Sequence, residues 1–382
     1  MNLNIQAPGY FSVQNLVFLA NLAQRSVRMA VPNTTKALFI DSENNPKVIE
    51  RQGLPEPSSG ELLIKVLYSG VNPADIKHAT FLGMNNTVMG HDFSGQVLET
   101  TKPNSVYKPG DIVAGYTPAG LHQPVHYGAH QAYITCPEDM LFKVPDNLPL
   151  PDAASLTVVA MTAADAVYNL FKFPLPTENE TLAYNAPFLL WGATGSVGYC
   201  ALQFAIASGV SPILVAANPA QFEHLRSLGV EHLFNYKDEN FHESIAKTLR
   251  GLGFDKFLYA FDAAGAPDSG DQVLKAVADD TFIASTVLRD EKRFKMPVGA
   301  TNIDFVIHPP GAPHPISIPA RPLDHARAWE AFKWAIENYG KKFRLPPVRV
   351  VDDTAEVALE EIKRFVRQGG RFSKLSIKQP LA

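Results

Sequence analysis

From Lys36 onward, short apolar runs alternate with breaks of Gly, Pro and Asn: KALFI, ELLIKVLYSG, FSGQVLE, GDIVAGY and AHQAYITC. Runs of this length between turn residues predict the strands of a mostly antiparallel unit. Near Pro151 the pattern changes. PDAASLTVVAMTAADAVYNLF carries no Gly or Pro beyond its first residue and is rich in Ala, which predicts one or two helices and a domain boundary close by. Strand and helix patterns then alternate: FLLWG, VGYCALQFAIASG, PILVAAN, QFEHLRSLG, HLFNY, FHESIAKTLRG, KFLYAFDAAG, SGDQVLKAVA and TFIAST. That alternation predicts a parallel sheet with helices on both faces. Beyond Arg321, LDHARAWEAFKWAIENYG and TAEVALEEIKRFVRQGG predict helices, and LPPVRVV and SKLSIK predict strands that return to the first unit. DFVIHPPGAPHPI holds too many prolines for a helix and is expected to form a loop over a cleft or at a subunit contact, with His308 as a minor site candidate.

The junction LLWGATGSVG carries the clearest chemistry. Gly192, Gly195 and Gly198 fall three residues apart between an apolar strand and a helix. In that setting the first glycine permits the tight turn, the second lets backbone approach a pyrophosphate, and the third lets the helix lie close to the strand. The N–H groups opening the helix attract the phosphates. Gly192, Ala193, Thr194, Gly195, Ser196, Val197 and Gly198 are therefore the predicted dinucleotide loop. At the end of the second strand, where a carboxylate would hold the ribose 2'-hydroxyl of NAD, stands Asn218. With no carboxylate to repel a 2'-phosphate, the choice tilts toward NADPH, and His224, Arg226 and Tyr236 are the nearby polar groups.

Composition narrows the partners. A length of 382 residues favours two domains. A net charge of -4 offers no electrostatic reason for nucleic acid or an anionic membrane, so the expected partner is a small molecule. Two cysteines make neither a disulfide framework nor a four-cysteine zinc site. No uninterrupted apolar run approaches the ~18 to 20 residues of a membrane span, and the expected location is the cytoplasm. Residues 1–30, with Arg25, Arg28 and no acidic residue before Asp41, read as a disordered extension, an organellar targeting segment, or sequence upstream of a true start at Met29.

Several segments together resemble the medium-chain dehydrogenase/reductase superfamily, in its zinc-free quinone reductase and enoyl reductase branch: GVNPADIKH, GHDFSGQV, KPGDIVAGY, TAADAVY, WGATGSVG, LRSLGVEHLFNYKDE and GGRFSKLSI. The likeness runs from Thr35 to the C-terminus, and the long GYTPAGLHQPVHYGAHQAY region is similar to fungal trans-acting enoyl reductases that partner polyketide synthases. The resemblance implies an α/β fold: a GroES-like β-rich substrate domain over 31–160, completed by 322–382, and a Rossmann doubly wound parallel-sheet domain over 161–321. It also carries a 2'-phosphate contact onto Tyr236, while Gln221 stands where many NADPH-dependent relatives have a basic residue. In the zinc-dependent sibling branch a cysteine ligand would fall at Asn72 and a histidine ligand at His91, so one ligand remains and no metal is expected.

The implied reaction is reduction of an activated carbon–carbon double bond in a small-molecule or carrier-bound enoyl substrate, with NADPH as hydride source. Asn72, Lys77 and Thr162 are the candidates for positioning, enolate stabilisation and proton delivery, with His78 as an alternative donor. Asp75 is expected to brace the NPAD turn, and Asp262, ending a strand, to shape the cofactor pocket. Three functions compete: a trans-acting enoyl reductase of polyketide biosynthesis, a stand-alone quinone or alkenal reductase, and a non-redox cyclisation catalyst or binding protein on the same fold.

Overall fold

The structure, a computed structural model, describes residues 32–382 apart from 121–122, 178–182 and 300–301. The extension expected over 1–30 lies outside the described residues. In chain order the first unit contains β1 (Thr34–Ile40), β2 (Pro46–Gln52), β3 (Glu61–Val71), α1 (Ala74–Leu82), β4 (Thr87–Val88), β5 (Asp92–Thr100), β6 (Ile112–Tyr116), β7 (Tyr133–Pro137) and β8 (Leu141–Lys143). The long helix α2 (Leu150–Ala164) follows and runs on through one π-helical stretch, Asp165–Leu170.

The second unit alternates β9 (Tyr184–Trp191), α3 (Ser196–Ala207), β10 (Val210–Ala217), α4 (Phe222–Ser227), β11 (His232–Asn235), α5 (Phe241–Gly251), β12 (Tyr259–Asp262), α6 (Ser269–Ala276), β13 (Phe282–Ser285) and β14 (Phe294–Lys295). Then come β15 (Phe305–Ile307), β16 (Ile316–Ile318), α7 (Pro322–Glu337), β17 (Val348–Val351), α8 (Ala355–Gln368) and β18 (Lys374–Lys378).

Six strands pair in the order β11-β10-β9-β12-β13-β14, every pair parallel. Numbered from the first strand of the unit this is 3-2-1-4-5-6, the doubly wound arrangement that leaves a crevice where the order reverses, between β9 and β12. The other large sheet runs β17-β18-β3-β5-β6-β8, with β7 also on β3, and β18 lies antiparallel to β3. The tail thus crosses back from the α/β unit, and Lys374 at its first position lands 302 residues from its partner Asn72.

The helix α2 joins the two units. Its Leu156, Ala160 and Ala163, with Val167 of the π-helical stretch, share one buried cluster with Ala114 of β6, Phe188 and Leu190 of β9, and Phe332 of α7. Counted through its π-helical end, Leu150–Leu170 has the length and apolar character of a membrane span, yet most of it is buried inside the protein, as befits a core helix. The proline-rich segment is a hairpin and not a plain loop: β15 and β16 pair around it, and the His308 N–H donates to Leu82 O at the end of α1.

Candidate active site

The glycine loop sits at the reversal point of the parallel sheet. Gly192 has φ +88°, and a Cβ there would stand 2.7 Å from the backbone N of Ala264 in the loop after β12. A Cβ at Gly198 would collide with the carbonyl oxygen of Gly192 and stand 3.0 Å from the Ala263 Cβ. Glycine at these two positions lets α3 start close against both loops. Gly195 has ordinary backbone (φ -74°) and caps α3, and a Cβ there would meet nothing nearer than 3.5 Å. Side-chain-free space at the N-terminus of a helix, with its unpaired N–H groups, fits a pyrophosphate.

The opposing loop is fixed by Asp262. Its carboxylate accepts from Gly265 N (3.2 Å), Ser285 Oγ (3.1 Å) and Arg289 Nη2 (2.6 Å), and the same guanidinium donates to Ala266 O and Ser269 Oγ. Asp262 and Arg289 thereby fix the shape of residues 263–268.

At the end of β10 Asn218 is exposed, and its carboxamide oxygen accepts from Ala220 N at 3.0 Å. The amide NH2 is left to serve as donor. Tyr236, 38% exposed just past β11, lies tilted against Trp191 with ring centroids 6.1 Å apart. Lys237 places its ammonium 5.8 Å over the Tyr236 ring. Lys237 carries no signal of its own in the sequence, where the position expected to be basic falls after β10 and is Gln221. His224 is occupied elsewhere, bonded to Tyr199 Oη at 2.8 Å and packed on Phe372, and Arg226 lies over Phe222.

On the other side of the cleft the three catalytic candidates separate. Asn72 is 2% exposed, and each end of its carboxamide is hydrogen-bonded within the protein. Its Nδ2 donates to Asp92 Oδ2 (2.8 Å), and its Oδ1 accepts from Lys374 Nζ (2.6 Å). Lys374 also donates to Val71 O at 2.7 Å, and Asp92 Oδ1 accepts from the Val158 N–H at 2.8 Å. Asn72 is therefore the bridge of a buried network that pins β18 and β5 to α2. Burial pushes the Asp92 carboxyl up to about 6, against the pull of Lys374. Burial likewise pushes the Lys374 ammonium down.

Thr162 lies on α2, where its hydroxyl donates to Val158 O at 2.7 Å. Backbone of Gly299 passes so close that a Cβ there would be 2.9 Å from Thr162 Oγ1. Lys77 is exposed on α1 and makes no ion pair with any described residue.

Asp75 braces the turn as expected, accepting from Asn72 N at 2.8 Å. It also accepts from His130 Nε2 at 3.1 Å, and His130 Nδ1 lies 2.9 Å from Ser69 Oγ. The order Ser69, His130, Asp75 imitates a hydrolytic triad, but Ser69 and His130 are wholly buried, so no acyl group reaches that hydroxyl. Burial alone would raise Asp75; the hydrogen bonds from His130 and the Asn72 N–H help to hold its carboxyl below the usual range. His91 lies edgewise to His78, ring centroids 5.5 Å apart, and its Nδ1 faces Thr117 O at 3.4 Å. Burial lowers both imidazoles, His78 to about 3, so both are neutral at physiological pH.

Residues 58–146 match the family described as Alcohol dehydrogenase GroES-like domain, and residues 196–298 the family described as Zinc-binding dehydrogenase. Among curated proteins the chain is 31% identical over 248 residues to the trans-enoyl reductase fsr4 of Gibberella fujikuroi, a match covering 62% of this chain and 70% of that one. It is 28% identical over 246 residues to the trans-enoyl reductase resD of Aspergillus sclerotiorum, covering 61% and 68%. The matches span 60 to 70% of the length of such trans-enoyl reductases. Among solved structures the CurK enoyl reductase superposes with a TM-score of 0.67 at 16% identity, over 91% of this chain and 100% of that one. That likeness concerns the fold.

Proposed function

Because the chain belongs to the medium-chain dehydrogenase/reductase superfamily, in its enoyl reductase branch, we propose that it is an NADPH-dependent, zinc-independent reductase of α,β-unsaturated thioesters, acting in trans on chains carried by a polyketide synthase. An oxidoreductase of enoyl reductase type with a nicotinamide dinucleotide is the coarser statement that the family supports. The observation that carries the finer one is the match over 248 residues to a trans-enoyl reductase, on a chain whose dinucleotide cradle is open.

A bound NADPH supplies the hydride for the β-carbon. The N–H groups opening α3 would hold its pyrophosphate, the Asn218 amide, standing in place of a carboxylate, its ribose, and Tyr236 with Lys237 the 2'-phosphate. The Thr162 hydroxyl has committed its hydrogen to Val158 O, so its oxygen acts as an acceptor, which suits a carboxamide NH2. Lys77, beside His78 on α1, is the proposed source of the proton for the α-carbon. Zinc independence rests on the donor set: Asn72 is locked between Lys374 and Asp92, and among the described residues no group of three His, Cys, Asp or Glu side chains is arranged to hold a metal ion.

The test is hydride transfer from NADPH deuterated at the nicotinamide C4, with NADH in parallel, to an enoyl thioester of a carrier mimic, a free enone and a quinone. Deuterium at the β-carbon of the thioester, with NADPH preferred, is the expected result. Faster transfer to the enone or quinone moves the assignment to a stand-alone reductase, and transfer to none of them to a non-redox role.

A second prediction concerns the phosphate contact. The double variant Tyr236→Phe, Lys237→Ala is expected to raise the KM for NADPH about tenfold, equivalent to ~1.4 kcal/mol, while the KM for NADH stays within about twofold. Equal loss for both cofactors would remove these residues from 2'-phosphate recognition.

A further inference from the structure

Beneath α1 and the Gly90–His91 turn lies a cavity whose wall includes Asp75, His78 and His91 together with Met84, Met89 and Ala119. Two buried polar atoms on its lining residues lack partners: Asp75 Oδ1 and His78 Nδ1. Asp75 is only 6% exposed, and its other oxygen already serves Asn72 N and His130. A buried carboxylate oxygen without a protein donor is costly, so an occupant that brings a hydrogen-bond donor is favoured there. The Met84 methyl rests on the side-chain-free face of Gly120, so one wall is a flexible thioether that can yield to an occupant.

The chemistry of the occupant follows from its surroundings. A carbonyl has no hydrogen for Asp75. An ammonium would be stripped of water among Ile40, Met84 and Met89 to meet a carboxylate already hydrogen-bonded to His130 and Asn72 N. A hydroxyl donates to Asp75 Oδ1 and pairs with the neutral imidazole of His78. The cavity is tied to the helix that carries Thr162, since Asp92, next to His91 in the chain, accepts from the Val158 N–H one turn before Thr162.

We propose that this cavity is a subsite for a hydroxyl group on the substrate's acyl chain, read by Asp75 and His78, so that hydroxylated enoyl chains are the preferred substrate class. The inference rests on the enoyl reductase reading above.

The test uses carrier-mimic enoyl thioesters of one chain length: plain, hydroxylated on successive carbons beyond the double bond, and aminated at the same carbons. At one position the hydroxylated chain is expected to exceed the plain one in kcat/KM by about a hundredfold or more, since sites that hydrogen-bond a hydroxyl discriminate strongly against its absence. His78→Phe should bring that ratio to within about threefold of one, and His78→Gln, which keeps a donor and an acceptor, should restore part of it. Equal rates at every position would mean that the cavity holds water only, and preference for the amine would give the subsite to a cation; either overturns the proposal, as does His78→Phe with the ratio intact. Should no thioester be reduced, the reductase reading fails, and ligand-observed NMR of the same compounds on the NADPH-saturated protein still reads the subsite. Tighter binding of one hydroxylated chain sustains it, and equal binding of all ends it.

Discussion

The Gly198→Val protein is expected to bind NADPH at least about a hundredfold more weakly than the parent and to lose reductase activity in proportion. The reason is backbone against backbone. The first side-chain carbon would overlap the Gly192 carbonyl oxygen and press on the Ala263 Cβ at 3.0 Å, and no flexible side chain stands there to give way. The first turn of α3 must therefore move off the loop, carrying with it the N–H groups that face the phosphates. Gly195→Ala separates the two roles of the loop. Its added methyl meets nothing closer than 3.5 Å, so its thermal stability should match the parent's, while cofactor affinity falls because the methyl fills the space left for the pyrophosphate. Calorimetric titration with NADPH beside thermal unfolding of both variants checks this. A Gly198→Val protein of parental affinity would show that the loop is not the cofactor cradle.

The cradle was legible because its signal is local. Three glycines, a strand before them and a helix after them all lie within one stretch of chain, and each glycine answers a different steric demand. Asp75 was legible for the same reason, as a turn former in NPAD. Asn72 was not. Taken alone it reads as an amide placed to meet a substrate; what decides its role is Lys374, which in GGRFSKLSI looks like an ordinary strand lysine and is brought to it only by the pairing of β18 with β3. His78 shows the same limit. Its sequence neighbours suggested a proton donor, whereas the folded chain leaves its Nδ1 sealed and unpaired beside an equally unpaired Asp75 oxygen. Local periodicity predicts elements; it carries no information on which buried polar groups the tertiary pairing leaves without partners.

Lys374→Ala is expected to destabilise the protein by about 3 to 5 kcal/mol, the loss typical of removing one partner from a buried charge pair. It strands Asn72 Oδ1 and Val71 O without a donor and leaves the Asp92 carboxylate with no cation near it. Asparagine suits position 72 because its amide accepts from the ammonium and donates to the carboxylate, passing charge compensation between groups that do not touch. If that account holds, Lys374→Met combined with Asp92→Asn should be markedly more stable than Lys374→Met alone, since no uncompensated charge then remains buried. The pH dependence has a fixed sign. Asp92 has a folded pKa of about 6, above its ordinary 3.8, so its stabilising contribution is fully present below the unfolded value and is lost as pH rises through about 6. Relative to Asp92→Asn, the parent should lose roughly 2 to 3 kcal/mol between about pH 4 and pH 6. In Lys374→Ala the compensating charge is gone, so the Asp92 pKa climbs and the loss continues above pH 6. Urea unfolding across this range measures both. A Lys374→Ala protein within about 1 kcal/mol of the parent at pH 7 would mean that water compensates Asp92 and that Asn72 bridges nothing.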